Sequence, residues 1–383
     1  MLEAVSIRNF RAIRELEVSG LGQVNVLVGR AGSGKSSFLE ALAFASYIIF
    51  ETDVPFPSLK GGSSRLPLVS YLLIRRGQDY LSVPSDREGR ALFSSHSPVP
   101  ISRLVFGYGK HFEIDMASDA GSVTASIIIS RAKQQNFDVS CELKVFKKEG
   151  SSPTSYELAF LLRNDGLPDR GWTSSPDEAC EILSSLGNLM LVDHEVARHL
   201  LGLSDAWREL FFRNYDRLVI EALSEALGLR ITDLITIPAE PGELDVLVGV
   251  EDEKSRIRIY LSDLAEGGRR LIAMALASTL VGRGGTLLVE EPEAHLHPLA
   301  MLPLARLSAR MFKALGQQAF ITTHSLEMAD AFSRACSEEG LEFRAIFLHR
   351  EPDGYVEARV LENPSYRELR DVGIDLRVVP EIL

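Results

Sequence analysis

The sequence predicts an α/β fold with parallel strands joined by helical crossovers, on the strength of three observations. A short apolar strand runs into a Gly-rich turn at Gly29–Ser36 and then into an apolar helix. The last third of the chain alternates helix-period and strand-period segments. Two of its strands, 286–289 and 318–322, lead directly into carboxylates or a histidine.

Taken in order, Ala4–Ile7, Ile13–Val18 and Val24–Val28 are rich in β-branched or alternating apolar residues and predict short strands. Ser36–Phe50 has helical spacing through Phe38, Leu39, Leu42 and Ala43. Residues 51–100 are rich in Pro, Gly and Ser and predict loops, with one or two short elements around Leu68–Ile74. From Ile101 to Leu162 the period drops to two, giving strands at Thr124–Ser130, Asp138–Phe146 and Tyr156–Leu162, a β-meander inserted after the first helix. Asp177–Gly187 and Asp205–Leu227 predict helices, the second through Trp207, Leu210, Phe211, Leu218 and Leu223. Strands return at Asp245–Val250 and Ile257–Leu261. The alternation follows: helix 264–281, strand 286–289, helix 299–315, strand 318–322, helix 325–335 and strand 343–348. There is no internal repeat and no sustained heptad run, so no long coiled coil is expected.

With 383 residues and 45% hydrophobic content, the chain can bury a large core. Its formal charge of −12 excludes a uniformly basic nucleic-acid coat but leaves room for a local basic groove. Cys141, Cys180 and Cys336 lie far apart, so neither a zinc site nor a disulfide framework is expected, which fits a reducing compartment. The opening MLEAVSIRNFRAIRE is charged where a signal peptide needs an apolar core. The stretch Leu271–Gly282 is too short to span a bilayer. A soluble, cytoplasmic protein with no membrane partner is the expectation.

Gly29-Arg30-Ala31-Gly32-Ser33-Gly34-Lys35-Ser36 fits the phosphate-loop pattern G-x-x-x-x-G-K-[ST] and lies between a strand and a helix, as that motif requires. Glycines let backbone N–H groups, including those leading to Ser37, converge on phosphates at the positive end of the helix. Lys35 is suited to the β- and γ-phosphates of ATP, and the Ser36 hydroxyl to Mg²⁺. The strand at 286–289 ends in Glu290-Glu291-Pro292-Glu293, where open α/β sheets place ligands. Glu290 is assigned to the metal shell and Glu291 to orienting or deprotonating water; a solvated acidic loop is the alternative. His295 and His297 have metal-pair spacing but no Cys or carboxylate partner at ligand spacing, and predict at most one functional histidine. His324, after the next strand, either reaches the γ-phosphate or water or is structural. Glu266, Gly267 and Gly268 open an apolar helix. They form either an anion site for another subunit's nucleotide or a simple cap formed with Asp263 or Glu266.

In this order the motifs resemble the ABC-type ATPase heads of the SMC, RecF and OLD-like group. The resemblance covers residues 1–50 and 260–350, and the middle is unmatched. Ile7-Arg-Asn-Phe10-Arg followed by Val24–Gly29 is similar to that group's first strands, and Leu287–Pro298 to its Walker B and D-loop, in the OLD-like form. Thr322–Ser325 looks like its switch-histidine segment, Leu261–Leu271 like its signature motif, and Val372–Arg377 is weakly reminiscent of the branch. Glu290 stands where the wider group usually has Asp, and Ala265 where many relatives have Ser or Gly. No Q-loop residue is assignable; Gln78, Gln134 and Gln135 are candidates by type only.

The resemblance implies a P-loop NTPase with an ABC-type head, a β-rich N-terminal lobe and a small helical insertion. The divisions fall at 1–177 (P-loop and meander), 178–260 (helical insertion and connecting strands) and 261–383 (signature, Walker B, D-loop and switch histidine). It implies an ATPase using Lys35, Glu291 and His324, with Mg²⁺ on Ser36 and Glu290. It also implies an ATP-dependent homodimer, in which each signature segment closes over the other copy's nucleotide. About 60 residues follow His324, too few for the C-terminal nuclease domain of OLD proteins. DNA maintenance or genome defence is the expected role, with DNA or an effector protein as partner. Lys144, Lys147, Lys148 and Arg75–Arg76 are the candidate phosphate contacts. The alternative is a nucleotide-switched protein-interaction or toxin-regulating module without nucleic-acid binding. A transporter subunit is disfavoured, because the signature is not LSGGQ-like.

Overall fold

The computed structural model describes residues 1–50, 53–57, 63–67, 111–131, 137–147, 154–162, 168–172, 177–238, 244–251 and 255–375. Its first three strands are β1 (Leu2–Phe10), β2 (Ile13–Ser19) and β3 (Val24–Val28), followed by helix α1 (Lys35–Phe50). All five β3 residues are buried, as a central strand covered on both faces requires. A hairpin of β4 (Asp53–Pro57) and β5 (Ser63–Pro67) lies inside the segment expected to be loop. The element expected around Leu68–Ile74 and the three Q-loop candidates lie outside the described residues.

The meander consists of β6 (His111–Ser118), β7 (Gly121–Arg131), β8 (Phe137–Lys147), β9 (Thr154–Leu162) and β10 (Pro168–Trp172), all antiparallel. The expected strands at 124–130, 138–146 and 156–162 fall within β7, β8 and β9. Strand β6 pairs with β1, so the meander extends the N-terminal hairpin instead of forming a separate sheet.

Four helices and four strands follow: α2 (Asp177–Ile182), β11 (Leu189–Val192), α3 (His194–Leu200), α4 (Ser204–Phe212), α5 (Asp216–Leu227), β12 (Arg230–Pro238), β13 (Leu244–Glu251) and β14 (Arg256–Tyr260). The single helix expected over Asp205–Leu227 is therefore two. The break falls at Arg213–Tyr215, where Asn214 takes a left-handed φ of 57° that interrupts helical hydrogen bonding. The final third contains α6 (Glu266–Val281), β15 (Thr286–Glu290), α7 (Pro298–Leu315), β16 (Gln318–Thr323), α8 (Leu326–Glu339), β17 (Phe343–Arg350), β18 (Tyr355–Glu362) and α9 (Asn363–Asp371).

Among the described residues one thirteen-stranded sheet runs β10-β9-β8-β7-β6-β1-β2-β18-β17-β3-β16-β15-β11, beside the small sheet β12-β13-β14. Strands β17, β3, β16, β15 and β11 are mutually parallel. Helix α1 is buried along almost its whole length because both halves of the sheet pack on it. Phe38 meets Phe320 of β16, with ring centroids 5.8 Å apart, whereas Phe44 meets Phe112 of β6 at 5.3 Å. Helix α5 is tied to α7 by ion pairs: Arg306 reaches Glu225 at 2.6 Å and Arg310 reaches Glu221 at 3.3 Å. No helix among the described residues is long and apolar enough to cross a membrane.

Candidate nucleotide site

Three neighbouring parallel strands end at one level. Val28 of β3 lies opposite Thr323 of β16, and Thr322 lies opposite Glu290 of β15. The Gly-rich turn, His324 and Glu291 follow these strand ends and therefore converge, although almost 290 residues separate Lys35 from His324.

The turn needs its glycines. Gly32 and Gly34 have φ of 79° and 101°, in the left-handed region that side chains avoid. A Cβ on Gly29 would lie 2.5 Å from the Leu348 carbonyl oxygen and 2.6 Å from Ser33 Oγ. Arg30, Ala31 and Gly32 are exposed, Ser33, Gly34, Lys35 and Ser37 are buried, and Ser36 is half-buried. Lys35 is 5% exposed. Its Nζ donates to the Gly29 carbonyl at 2.7 Å and the Arg30 carbonyl at 2.9 Å, and lies 3.5 Å from His324 Nδ1. Burial pushes this ammonium down to about 8, against the opposing pull of Glu291 and Glu293. The loop thus holds a desolvated cation directly bonded to neutral acceptors.

Glu290 is half-buried at the end of β15. Glu291 has a left-handed φ of 45°, and its N–H donates to the Thr322 carbonyl at 3.0 Å. A non-glycine residue in this region stores backbone strain. Its Oε1 lies 3.1 Å from His324 Nε2, with both side chains a little under half exposed. With Nε2 donating to Glu291 and Nδ1 accepting from Lys35, a single neutral tautomer of His324 satisfies both contacts. Lysine, histidine and carboxylate form one continuous chain.

Glu293 belongs to the same cluster, and reading the sequence did not single it out. Its Oε1 accepts from the Thr323 hydroxyl and from the His324 amide, the latter at 2.9 Å. The second acid of Glu-Pro-Glu was the available signal, but its partners lie 30 and 31 residues away. The two neighbouring histidines part company. The His295 ring packs on His194 at 5.7 Å, whereas His297 Nδ1 caps α7 by accepting from the Leu299 amide at 3.3 Å. No group of three or more His, Cys, Asp or Glu that could hold a metal occurs among the described residues.

The segment at 266–268 lies elsewhere. Glu266 pairs with Arg269. The Gly268 amide donates to the Ala265 carbonyl at 2.9 Å, and a Cβ there would come within 2.5 Å of Leu264 Cδ2. Gly268 is thus small for packing inside the copy. Gly267 is more open, its Cβ position 3.4 Å from Leu296 Cδ2 and 3.5 Å from Ala300 Cβ. Its neighbours follow the acidic strand end and do not include the phosphate loop. Behind it Arg270 is 4% exposed and lies 3.2 Å from His194 Nδ1; burial lowers its pKa, while Glu266, Asp193 and Glu293 raise it. Of the basic candidates, Lys144 pairs with Glu142 at 3.5 Å and Lys147 with Glu178 at 3.0 Å; Lys148 and Arg75–Arg76 lie outside the described residues.

Residues 4–60 match a family described as "AAA domain", and residues 129–330 one described as "AAA domain, putative AbiEii toxin, Type IV TA system". An uncharacterized protein of Methanocaldococcus jannaschii, MJECL11, is 33% identical over 116 residues, which are 30% of this chain and 99% of that protein. A second, MJECL10, is 54% identical over 43 residues, 11% of this chain and 20% of that protein. Among solved structures, an SMC head bound to the C-terminal winged-helix domain of ScpA shares 15% identity and a TM-score of 0.46, covering 94% of this chain and 97% of that one. The SMC head domain of Thermotoga maritima shares 12% at a TM-score of 0.41, covering 94% and 99%. The second family match spans more than half of the chain and takes in the acidic strand end and His324, so the protein belongs to the AAA-domain family that carries the AbiEii-type description.

Proposed function

We propose that the chain binds ATP with Mg²⁺ at the phosphate loop and hydrolyses it, using Glu291, His324 and Lys35. The observation that carries this reading is the Lys35–His324–Glu291 chain built on adjacent strand ends. The residues fit the group: a buried ammonium bonded to carbonyls suits a polyanion, and Ser36 and Glu290 offer the oxygens a hard cation takes. Bound MgATP supplies the reacting γ-phosphoryl group and the metal charge that shields it. Lys35 faces the β- and γ-phosphates, and the N–H groups of 29–37 line the loop. Glu291 orients water and takes its proton, and His324 holds that carboxylate in place.

Closure is proposed to need a second copy, with Glu266–Gly268 meeting the partner's nucleotide through the open Gly267. Gly267→Trp should keep ATP binding and lose turnover, and Lys35→Ala should lose turnover outright. Mixing the two restores one composite site, so partial recovery of activity is expected. Full activity in Gly267→Trp alone would rule out the shared site.

Closure is proposed to act in genome defence. Control of an effector or toxin is favoured over clamping of DNA by the family description, the charge of −12 and the pairing of Lys144 and Lys147 with carboxylates. A salt-sensitive DNA mobility shift in ATP would reverse that preference.

A further inference from the structure

We infer that Glu293 is a positioning residue, clamping the backbone of His324 so that its ring spans Lys35 and Glu291. This rests on the proposed ATPase reading and extends it to a residue outside the phosphate loop and the strand itself.

The geometry begins with a turn. Ala294 N–H donates to the Glu291 carbonyl at 3.0 Å, and Leu296 N–H to the Glu293 carbonyl at 2.8 Å. Left-handed φ values of 45° at Glu291 and 65° at His295 bracket the turn. This closed shape presents two carboxylates to one residue of the neighbouring strand end. Glu291 takes the His324 ring through Nε2 at 3.1 Å, and Glu293 takes the His324 amide at 2.9 Å. A ring held only at its edge swings about its own backbone, so the amide contact converts a pairing into a fixed position. The carboxylate that makes it also accepts from the Thr323 hydroxyl. Thr323 keeps other partners, since its Oγ1 accepts from the Ser325 amide at 2.9 Å. Loss of Glu293 should therefore fall mainly on His324. The other oxygen, Oε2, is buried and has no hydrogen-bond partner among the described residues. An amide nitrogen can stand in its place while Oε1 continues to accept.

Two readouts test this, and only one needs turnover. In the nucleotide-free protein, Glu293→Ala should speed hydrogen exchange of the His324 amide, and Glu293→Gln should leave it protected. In turnover, Glu293→Ala should lower kcat about 10- to 100-fold, as a misplacement of order 1 Å does, with nucleotide affinity little changed. Glu293→Gln should recover most of that loss. In a His324→Ala background, Glu293→Ala should add almost nothing, because the two act through one group. Unaltered protection of the His324 amide in Glu293→Ala would overturn the inference, as would full additivity with His324→Ala. A wild-type protein without turnover would instead contradict the ATPase reading, with the exchange measurement still deciding the role of Glu293.

Discussion

The two halves of the large sheet are built by opposite rules. In the parallel half, β3 and β16 are buried at every position, and β15 at every position but its last, Glu290. In the antiparallel half, β6 alternates buried and partly exposed residues, with one face turned to α1 and the other outward. Every residue of the Lys35–His324–Glu291 chain sits at an end of the parallel half, because parallel neighbours bring their carboxyl ends to one edge. The antiparallel half supplies a wall: Phe10 and Phe112 close on Phe44 of the helix that begins with Lys35. Chemistry and support are thus assigned to different halves, joined by one helix.

Breaking the wall should have the largest effect, and it should be on stability. Phe112 is fully buried and meets Phe10 at 5.1 Å and Phe44 at 5.3 Å. Phe112→Ala should lower unfolding free energy by about 3–5 kcal/mol in a denaturant titration, while the folded fraction keeps its affinity for ATP. A larger loss of affinity than of stability would show that the wall also shapes the site.

The converse change lies in the other half. Gly29→Ala places a methyl group 2.5 Å from a backbone oxygen of β17, so the phosphate loop must shift. ATP affinity, measured by calorimetry, should fall about 100-fold, with stability changed by far less than in Phe112→Ala. Equal losses of stability in the two variants would dissolve the distinction between the halves.

Much of this division was legible because it is local. Gly29–Ser36 carries its own strand and helix as flanks, and Val24–Val28 is a strand with the expected bounds. What escaped depends on partners distant in sequence. Strand β11 has four residues and gains its place only by pairing with β15. Strand β18 buries little beyond Val356, so its alternation is faint, yet it bridges β17 and β2. For His324 the sequence offered two readings, and only the folded registers show its ring between Lys35 and Glu291. Glu293 was hidden for the same reason.

The smallest effect sharpens the view of the phosphate loop as a site of desolvated charge. Lys35 has its pKa lowered to about 8 from 10.5. A polyanion on the loop favours the ammonium, so ATP binding should take up protons, about half a proton per nucleotide at pH 8. The sign follows from the shift. Below about 8 the free protein already carries the charge and affinity is full; above it the free protein loses the charge, and affinity falls by up to about tenfold per pH unit. For folding, the buried ammonium costs stability below about 8, and that cost disappears as pH rises toward 10.5. Calorimetry in buffers of different ionisation enthalpy reads the proton count, and proton release on binding would reverse the assignment.

In the proposed reaction Glu291 acts on water while the phosphate loop holds the nucleotide. Glu291→Gln separates these roles, because the amide keeps the shape of the side chain and loses its basicity. The decisive measurement is the identity of the nucleotide retained after incubation with γ-labelled ATP and Mg²⁺, beside the rate of phosphate release. Glu291→Gln should retain intact ATP and release phosphate at least about 100-fold more slowly than wild type. Phosphate release at the wild-type rate, or a failure of Glu291→Gln to bind ATP at all, would contradict these roles.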